Sequence, residues 1–419
     1  MLAEHSTSGR RRLSQGELDL VVDAHERFVT GRPGGKRASL RFVDFSGLTL
    51  ARRNLADADL SASHFEDCRM AGVRLDRANL FGSDLRKADL RGAFLTRADL
   101  RGACLRGANL TNADLTGADF REGQVAVPDA KTGLSSLRHE ARVGNIDNAV
   151  LCGATLDGSR LDGASAFAAD FTDCSLRGAK LAGANLKDAN LAGAMMQDAD
   201  VGGCNLENAN LEGAVLTGVD VTRAKTLGAK LGGALTEPTA AAMAKVPSLL
   251  AAVKGNDAWC RTGGKEGAPA KLEGQDLRPL GEALKGARLT AANLRGACLV
   301  GLDLTAIQLQ GANLEHADLR GAMMKGADMR GAKLTGANLT KADLRGAQVG
   351  SLPLSTGRTT PATLNSARLR YVQAQSADLT AAIFDLADLR GADFTGANVS
   401  GASFISADRS TAIGLEPAE

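Results

Sequence analysis

A five-residue period dominates this chain. In Ala108-Asn109-Leu110 and Ala113-Asp114-Leu115, a small residue, an Asp or Asn and a large apolar residue recur every five positions. We number each unit from its large apolar residue, i, so the small residue is i−2 and the acidic or amide residue is i−1. The pattern occupies three blocks, the second in a shifted frame: Leu40 to Val125, Ile146 to Leu231, and Leu289 to Phe404.

This period excludes the two common secondary structures. Neither a helix, with 3.6 residues per turn, nor a strand, with a period of two, keeps i and i−2 on one side over so many units. A chain that turns a corner in every unit can do so, with i and i−2 pointing inward and the other three residues outward. Ala at i−2 then leaves room for Leu at i, and glycine at i+2, as at Gly107, supplies the backbone freedom for a corner.

These Ala-(Asp/Asn)-Leu-x-x runs resemble the pentapeptide-repeat protein family. The resemblance implies an all-β solenoid, a right-handed quadrilateral parallel β-helix with short α-helical caps or linkers and roughly twenty residues per coil. Because only 3% of the residues are aromatic, small aliphatic side chains must fill the narrow interior.

The sequence predicts a helix in each of two segments outside the repeats. Residues 14–29 begin with a Ser14/Glu17 capping box and carry an apolar face made of Leu18, Val21, Val22, His25, Phe28 and Val29. A similar spacing recurs before the third block at Leu249, Val253, Trp259 and Cys260. Since an open solenoid end exposes unpaired backbone groups, we interpret the first helix as a cap and the second as an internal cap or hinge. Partner docking is the alternative for both.

The predicted organisation follows from these blocks. It comprises an N-terminal tail and capping helix (1–37), repeat block 1 (38–127), a linker (128–145), repeat block 2 (146–235), a helical linker or internal cap (236–270), repeat block 3 (271–406) and a C-terminal tail (407–419).

Pro353 and Pro361 indicate a loop that leaves block 3 and returns in register. We interpret Phe384, Phe394 and Phe404 as core filling. The alternative, from their resemblance to the dimerisation ends of some family members, is a homodimer through the C-terminal end.

The sequence contains no pattern typical of an enzyme. Five scattered histidines, at positions 5, 25, 64, 139 and 316, lack a Cys or carboxylate at metal-ligand spacing, and no G-x-S-x-G motif occurs. The i−1 aspartates are interpreted as solvated acceptors for corner backbone. We therefore predict no catalytic, metal-binding or cofactor-binding residues and no cofactor.

The seven cysteines follow the repeat rather than a disulfide or metal pattern. The repeat frame places Cys68, Cys174 and Cys204 at i−2, where we predict core packing. Cys104 and Cys298 fall at i−1, where exposure is expected.

The charge balance limits the classes of partner. Fifty Lys and Arg against 48 Asp and Glu leave a formal net charge of +2, which does not indicate direct nucleic-acid binding. No apolar run is long enough to span a bilayer. The expectation is a cytoplasmic, bacterial-type protein.

Two functional hypotheses remain. The first is a non-enzymatic rigid scaffold that binds an unidentified protein. The alternative, which the resemblance implies, is a DNA mimic that regulates or protects DNA gyrase, a topoisomerase. Block 2 is the acidic part, with seven cations against eleven anions and hence a net charge of −4.

Overall fold

The computed structural model describes residues 10–129, 133–354 and 357–415. The chain divides into two compact units, and the boundary lies between Glu237 and Pro238. We call them the first and second solenoids. Each is a right-handed quadrilateral β-helix of parallel coils with short helices, as the family resemblance implies.

The interior of each coil consists of the i and i−2 side chains. Leu105, Ala108 and Leu110 have no exposed surface. The i−1 residues of neighbouring coils pair as single parallel bridges, for example Asp99 with Asp119. Around such a bridge, the amide of Leu110 donates to Val150 O at 2.7 Å and the amide of Asn109 donates to Ala88 O at 2.9 Å. Backbone groups and apolar side chains are thus satisfied by the coils above and below.

Most corners are β-turns with a left-handed residue at i+2. At one corner the amide of Ala108 donates to Leu105 O at 3.0 Å, and Gly107 has φ +67°, the combination found in type II turns. Glycine is common at i+2, yet Lys87 and Asn112 adopt φ of 57° and 58° at the same position. The left-handed conformation alone therefore does not require glycine here.

The first solenoid begins with the short strand β1 (Arg11–Arg12) and helix α1 (Gln15–Val29), followed by β2 (Val43–Asp44), which pairs in parallel with β1. Its parallel bridges extend from Ser39 to Leu235, with one 3₁₀ turn at Val221–Arg223. Helix α1 has the predicted capping box, because the Ser14 amide donates to Glu17 Oε2 at 2.8 Å and Ser14 Oγ accepts from the Glu17 amide at 3.3 Å.

Helix α1 covers the first coil with only part of its predicted face. Leu18, Val22 and His25 are buried. Phe28 and Val29 were expected on the same face, but they are 45% and 37% exposed. Those two residues occupy the last turn of the helix, whereas the buried set follows the spacing of i, i+4 and i+7.

An antiparallel hairpin interrupts the coil between blocks 1 and 2. It consists of β3 (Gly123–Asp129) and β4 (Gly133–Arg142) and includes most of the residues predicted as a linker. The interior placement of Val125, predicted as the last unit of block 1, is wrong. Ile146 follows Phe120 in the core, and Cys104 bridges to Asn145 in the next coil. Blocks 1 and 2 therefore form one continuous solenoid.

The second solenoid has the helices α2 (Ala240–Ala244) and α3 (Val246–Arg261), 3₁₀ turns over Arg278–Leu284, and a small antiparallel pair, β5 (Leu352–Pro353) with β6 (Thr359–Thr360). Its bridges extend from Lys271 to Ile413. The predicted excursion is confirmed, because Lys333 pairs with Thr363 and regular spacing resumes beyond it. The coil also continues past residue 406, where the sequence predicts a tail, since Asp388 pairs with Asp408 and Asp393 with Ile413.

The two capping helices use different residues for the same hydrogen bonds. In α1, His25 Nδ1 accepts from the Ala38 amide at 3.0 Å and Nε2 lies 3.0 Å from Ala56 O. In α3, Asn256 Oδ1 accepts from the Ala270 amide at 2.6 Å and Nδ2 donates to Thr290 O at 3.2 Å. Both side chains are fully buried. Each joins its helix to the first strand segments of its own solenoid.

Two segments leave the coils, the β3–β4 hairpin and the β5–β6 pair. Each is held in place by one apolar side chain that packs on glycines at a corner of the solenoid. Val125, 1% exposed, covers Gly82 and Gly102, where an added Cβ would lie 2.5 and 2.7 Å from its methyl groups. In the second solenoid, Leu352 covers Gly331 in the same manner, with its Cβ 2.8 Å from an added Cβ. At these corners glycine is required by close approach of another segment.

Because of this packing, the same substitution should destabilise the protein more at a covered glycine than at an uncovered one. We expect Gly102→Asn to displace Val125 and expose the hairpin to proteases, at a cost of about 1.5–3 kcal/mol for the lost valine burial in addition to the backbone strain. Gly92→Asn is the matched control, because Gly92 has nearly the same φ (62° against 63°) and no atom near an added Cβ. Limited proteolysis should cleave between residues 123 and 142 in the first variant alone. Equal cleavage of both variants would contradict the docking role of Val125.

Candidate functional site

The charged surface is organised by a recurring contact that we call the Asp–Arg clamp. Where Asp at i−1 is followed by Arg at i+1, the guanidinium binds the carboxylate through Nε and Nη2 of the same side chain. In Asp99–Arg101 the two distances are 2.9 and 2.7 Å. The clamped arginines are Arg86, Arg91, Arg101, Arg121, Arg278, Arg320, Arg330, Arg345 and Arg390.

Hydrogen bonds from the clamp arginine and from the corner backbone lower the pKa of six of these aspartates: Asp84, Asp89, Asp119, Asp328, Asp343 and Asp388. The Arg91 guanidinium lowers the pKa of Asp89 below its ordinary value. Burial alone would raise the pKa of Asp388, but hydrogen bonds from Arg390 and Arg370 lower it to about 2. The same Asp Oδ1 atoms accept from the i+1 amide, at 3.1 Å in Asp119. These carboxylates are therefore structural acceptors and not proton donors at neutral pH.

Block 2 contains no clamp, since none of its i−1 aspartates is followed by arginine. Two looser ion pairs occur there, Arg160–Asp162 at 3.9 Å and Lys187–Glu207 at 3.3 Å. Its net charge of −4 is therefore not offset by clamps.

The histidines are dispersed. His25 lies in the first cap, His64 on a coil face, His139 in β4 and His316 at a corner of the second solenoid; His5 lies outside the described residues. Across residues 10–129, 133–354 and 357–415, no group of three or more His, Cys, Asp or Glu side chains could hold a metal ion. No helix in these ranges is both long and apolar enough to cross a membrane.

The cysteines follow the repeat frame only in part. Cys68, Cys174 and Cys204 are buried as predicted, and burial raises the pKa of Cys68 to about 12. Cys104 and Cys298 are half-buried and not exposed, because i−1 side chains of neighbouring coils stack against each other. Burial raises the pKa of both thiols, which favours the thiol over the reactive thiolate.

A cavity of about 270 Å³ lies where the β3–β4 hairpin and Arg10 meet one face of the first solenoid. We call it the hairpin pocket. It is lined by Arg10, His64, Gly82, Ser83, Asp84, Arg86, Cys104, Arg106, Val125 and Arg142. Two further cavities, of about 420 and 400 Å³, lie beside α1 and beside Ala270, but neither gathers so many cationic groups.

The hairpin pocket depends on the packing of Val125. Because Val125 holds β3 against Gly82 and Gly102, Arg142 at the end of β4 is brought to the same corner of the coil. On the coil face, His64, Asp84 and Cys104 stack as successive i−1 residues. Arg10 donates through Nε to Ala62 O at 3.3 Å, at the corner one coil before Gly82.

The family model for pentapeptide repeats matches the chain in eight copies, which together cover more than half of its residues: 54–92, 93–124, 145–181, 169–208, 196–234, 283–311, 312–348 and 375–408. The chain belongs to the pentapeptide-repeat family. No curated protein matches the sequence significantly.

Three solved family structures align with this pentapeptide-repeat chain. HetL from Nostoc sp. strain PCC 7120, described as involved in heterocyst differentiation regulation, has 20% identity and a TM-score of 0.18 over 90% of this chain and 92% of its own. Rfr23 from Cyanothece 51142 has 29% identity and a TM-score of 0.21 over 31% and 87%. QnrB1, a plasmid-mediated fluoroquinolone resistance protein, has 15% identity and a TM-score of 0.22 over 45% and 92%. Because these TM-scores are low, family membership rests on the repeat matches.

The sequence alone did not reveal the hairpin pocket. Its residues come from the N-terminal segment, three successive coils and both hairpin strands, which no linear pattern joins. One signal was present, however. Cys104 occupies the i−1 position of a unit with Arg106 at i+1, so this pentapeptide unit has the arginine of a clamp without its aspartate.

Proposed function

We propose that this protein is a non-enzymatic scaffold whose rigid solenoid faces bind another protein. The observation that carries the proposal is the Asp–Arg clamp. A surface arginine normally loses side-chain entropy when a partner immobilises it, at a cost of about 0.5–1.5 kcal/mol per side chain. In a clamp two hydrogen bonds already hold the guanidinium, as in Asp343–Arg345 at 2.9 and 2.6 Å.

The clamped residues also sit on a backbone that has little freedom. Except for Asp276, each clamped aspartate is paired with the coil before it and the coil after it, as Asp99 is with Asn79 and Asp119. A partner therefore meets a preorganised array of charges and not a flexible surface. The proposal gives no residue a catalytic role.

The test combines affinity capture with charge reversal. Full-length protein should capture a partner from cell lysate, and Arg101→Glu together with Arg121→Glu, or Arg330→Glu together with Arg345→Glu, should abolish capture without lowering the melting temperature by more than a few degrees. Leu105→Met is the matched core control and should capture as wild type. Capture that neither pair of reversals changes, or steady turnover of a small-molecule substrate, would refute the scaffold proposal.

The second candidate is a DNA mimic that regulates DNA gyrase, and the absence of clamps in block 2 favours it. The charge density argues against it. Block 2 carries a net −4 over about four and a half coils, or roughly one charge per 5 Å at ~4.8 Å per coil, whereas duplex DNA carries about one per 1.7 Å. The candidate therefore ranks second.

A supercoiling assay separates the two candidates. A DNA mimic should inhibit gyrase, or protect it from a quinolone, at micromolar concentration, and Asp170→Lys with Asp200→Lys in block 2 should remove the effect. Unchanged supercoiling at that concentration removes this candidate and leaves the scaffold proposal intact.

A second copy of the chain is a further partner that we propose, at the C-terminal end of the second solenoid. Within the described residues no helix covers the last coil. Phe404 stacks on Phe384 with ring centroids 5.1 Å apart, and Arg409 lies over the Phe404 ring at 5.7 Å. Sedimentation equilibrium that gives the monomer mass at every concentration would exclude this homodimer.

A further inference from the structure

The hairpin pocket concentrates positive charge. Four of its ten lining residues are arginines, Arg10, Arg86, Arg106 and Arg142, against one carboxylate, Asp84. The pocket shares one clamp, Asp84–Arg86, with the surface invoked for partner binding, but its other three arginines belong to no clamp. Its cations come from three separate parts of the chain, so their convergence is a property of the folded protein alone.

Two of the four arginines form ion pairs with carboxylates. Arg86 forms a clamp with Asp84, at 2.8 and 2.6 Å, and also contacts Glu66 at 3.1 Å. Arg142 contacts Glu140 at 3.2 Å, on the exposed side of β4. Arg10 makes its hydrogen bond to a backbone carbonyl, that of Ala62.

Arg106 is the arginine that the pocket leaves unbalanced. In the clamped units its carboxylate partner would stand at i−1, but that position holds Cys104. Burial raises the pKa of the Cys104 thiol, so it contributes no negative charge at neutral pH. No side-chain hydrogen bond of Arg106 is present within the described residues. Arg106 and Arg142 stay exposed at the mouth of the pocket, which leaves the cavity open to solutes.

The other titratable groups of the lining add no negative charge. Burial lowers the pKa of His64, and Arg10 lowers it further, so His64 is mainly neutral at pH 7. Burial and then the charge of Arg142 lower the pKa of Arg10, opposed by Asp44 and Asp84; a guanidinium remains charged nevertheless. Like charges thus face one another across a small, partly enclosed volume.

We propose that the hairpin pocket binds a phosphate-type oxyanion between Arg10, Arg106 and Arg142. Guanidinium groups present paired N–H donors that match the oxygens of phosphate. A volume of about 270 Å³ lies below the range of about 300–1,000 Å³ usual for drug-sized ligands, so the pocket suits free orthophosphate or the phosphate group of a small monoester.

The clamp itself supplies the decisive variant. Cys104→Asp would place a carboxylate at i−1 and tie up Arg106 as Asp84 ties up Arg86. We expect wild-type protein to bind orthophosphate, measured by isothermal titration against chloride at equal ionic strength, and Cys104→Asp to bind at least tenfold more weakly. Cys104→Asn, which keeps the corner hydrogen bond without the charge, and Cys298→Asp, the same change at an i−1 cysteine of the second solenoid, should bind as wild type.

Two outcomes would overturn the proposal: wild type that binds neither orthophosphate nor glycerol 3-phosphate at millimolar concentration, or Cys104→Asp that binds as tightly as wild type. If Cys104→Asp does not fold, Arg106→Gln takes its place and is read in the same way. Equal affinities for the two probes identify a site for free phosphate, whereas tighter binding of glycerol 3-phosphate identifies a monoester site.

Discussion

Leu110→Asp is expected to unfold the coils around it, whereas Asp114→Ala should leave the protein folded. Leu110 is fully buried in a column with Leu90 and Leu151 from the adjacent coils. An aspartate there would carry its charge into an apolar interior without a partner, which costs several kcal/mol even after relaxation. Since whole domains are stable by only about 5–15 kcal/mol, this one change consumes a large share of the total.

Asp114 occupies the neighbouring unit but points outward. Its Oδ1 accepts from the Thr116 amide at 3.0 Å and from Thr116 Oγ1 at 2.6 Å, both in half-buried positions. Water can replace the carboxylate there, so we expect a loss of about 1 kcal/mol. Leu110→Ala falls between the two, at about 2–5 kcal/mol through the cavity that it leaves.

The measurement is circular dichroism melting together with hydrogen exchange. Because each coil contacts only its neighbours, Leu110→Asp should abolish amide protection first in residues 85–156. Asp114→Ala should keep wild-type protection there. Similar melting temperatures for Leu110→Asp and Asp114→Ala would mean that i and i−1 do not differ in burial, and the square-coil interpretation would fail.

The inward pattern was predictable because it follows from a physical constraint that acts on every unit. Leu110 and Ala108 are inside for the same reason in each coil, so many weak signals agree. The boundaries of the repeat were less predictable. Val125 keeps the five-residue frame and is apolar, yet the hairpin carries it outside to cover Gly82 and Gly102, and only the tertiary contact distinguishes it from a core residue.

The hairpin pocket and the cap hydrogen bonds lay beyond sequence reasoning for a second reason. Both depend on which distant residues meet. Arg10 and Arg142 come together only because β1 and the hairpin pack on the same solenoid. Leu18 and Leu249 could be matched by spacing, but His25 and Asn256 share no chemistry in sequence; their equivalence appears only in the two backbone groups that each one bridges.

His25→Ala is expected to destabilise the first cap by about 3–5 kcal/mol. The change leaves the Ala38 amide and the Ala56 carbonyl without their buried partner, at about 1–3 kcal/mol each, and adds a cavity. His25→Asn is the matched control, because Asn256 makes the corresponding pair of bonds in the second cap. Thermal melting and exchange of the Ala38 amide should show a large loss for His25→Ala and at most about 1 kcal/mol for His25→Asn. Equal losses would mean that ring packing, and not hydrogen bonding, defines this position.

The same residue gives the cap a dependence on pH. Burial lowers the pKa of His25, and protonation of Nδ1 would remove the acceptor of the Ala38 amide. Below about pH 6.5 the unfolded chain therefore binds a proton that the folded protein does not. Stability is fully present above that value and falls as the pH decreases towards the folded pKa, by at most about 1.4 kcal/mol per pH unit.

Denaturation followed from pH 7 to pH 5 should show a smaller fall in the free energy of unfolding for His25→Asn than for wild type. A remainder is expected from His64, whose pKa is also lowered by burial, and identical pH profiles for the two proteins would show that His25 is not held neutral by the fold.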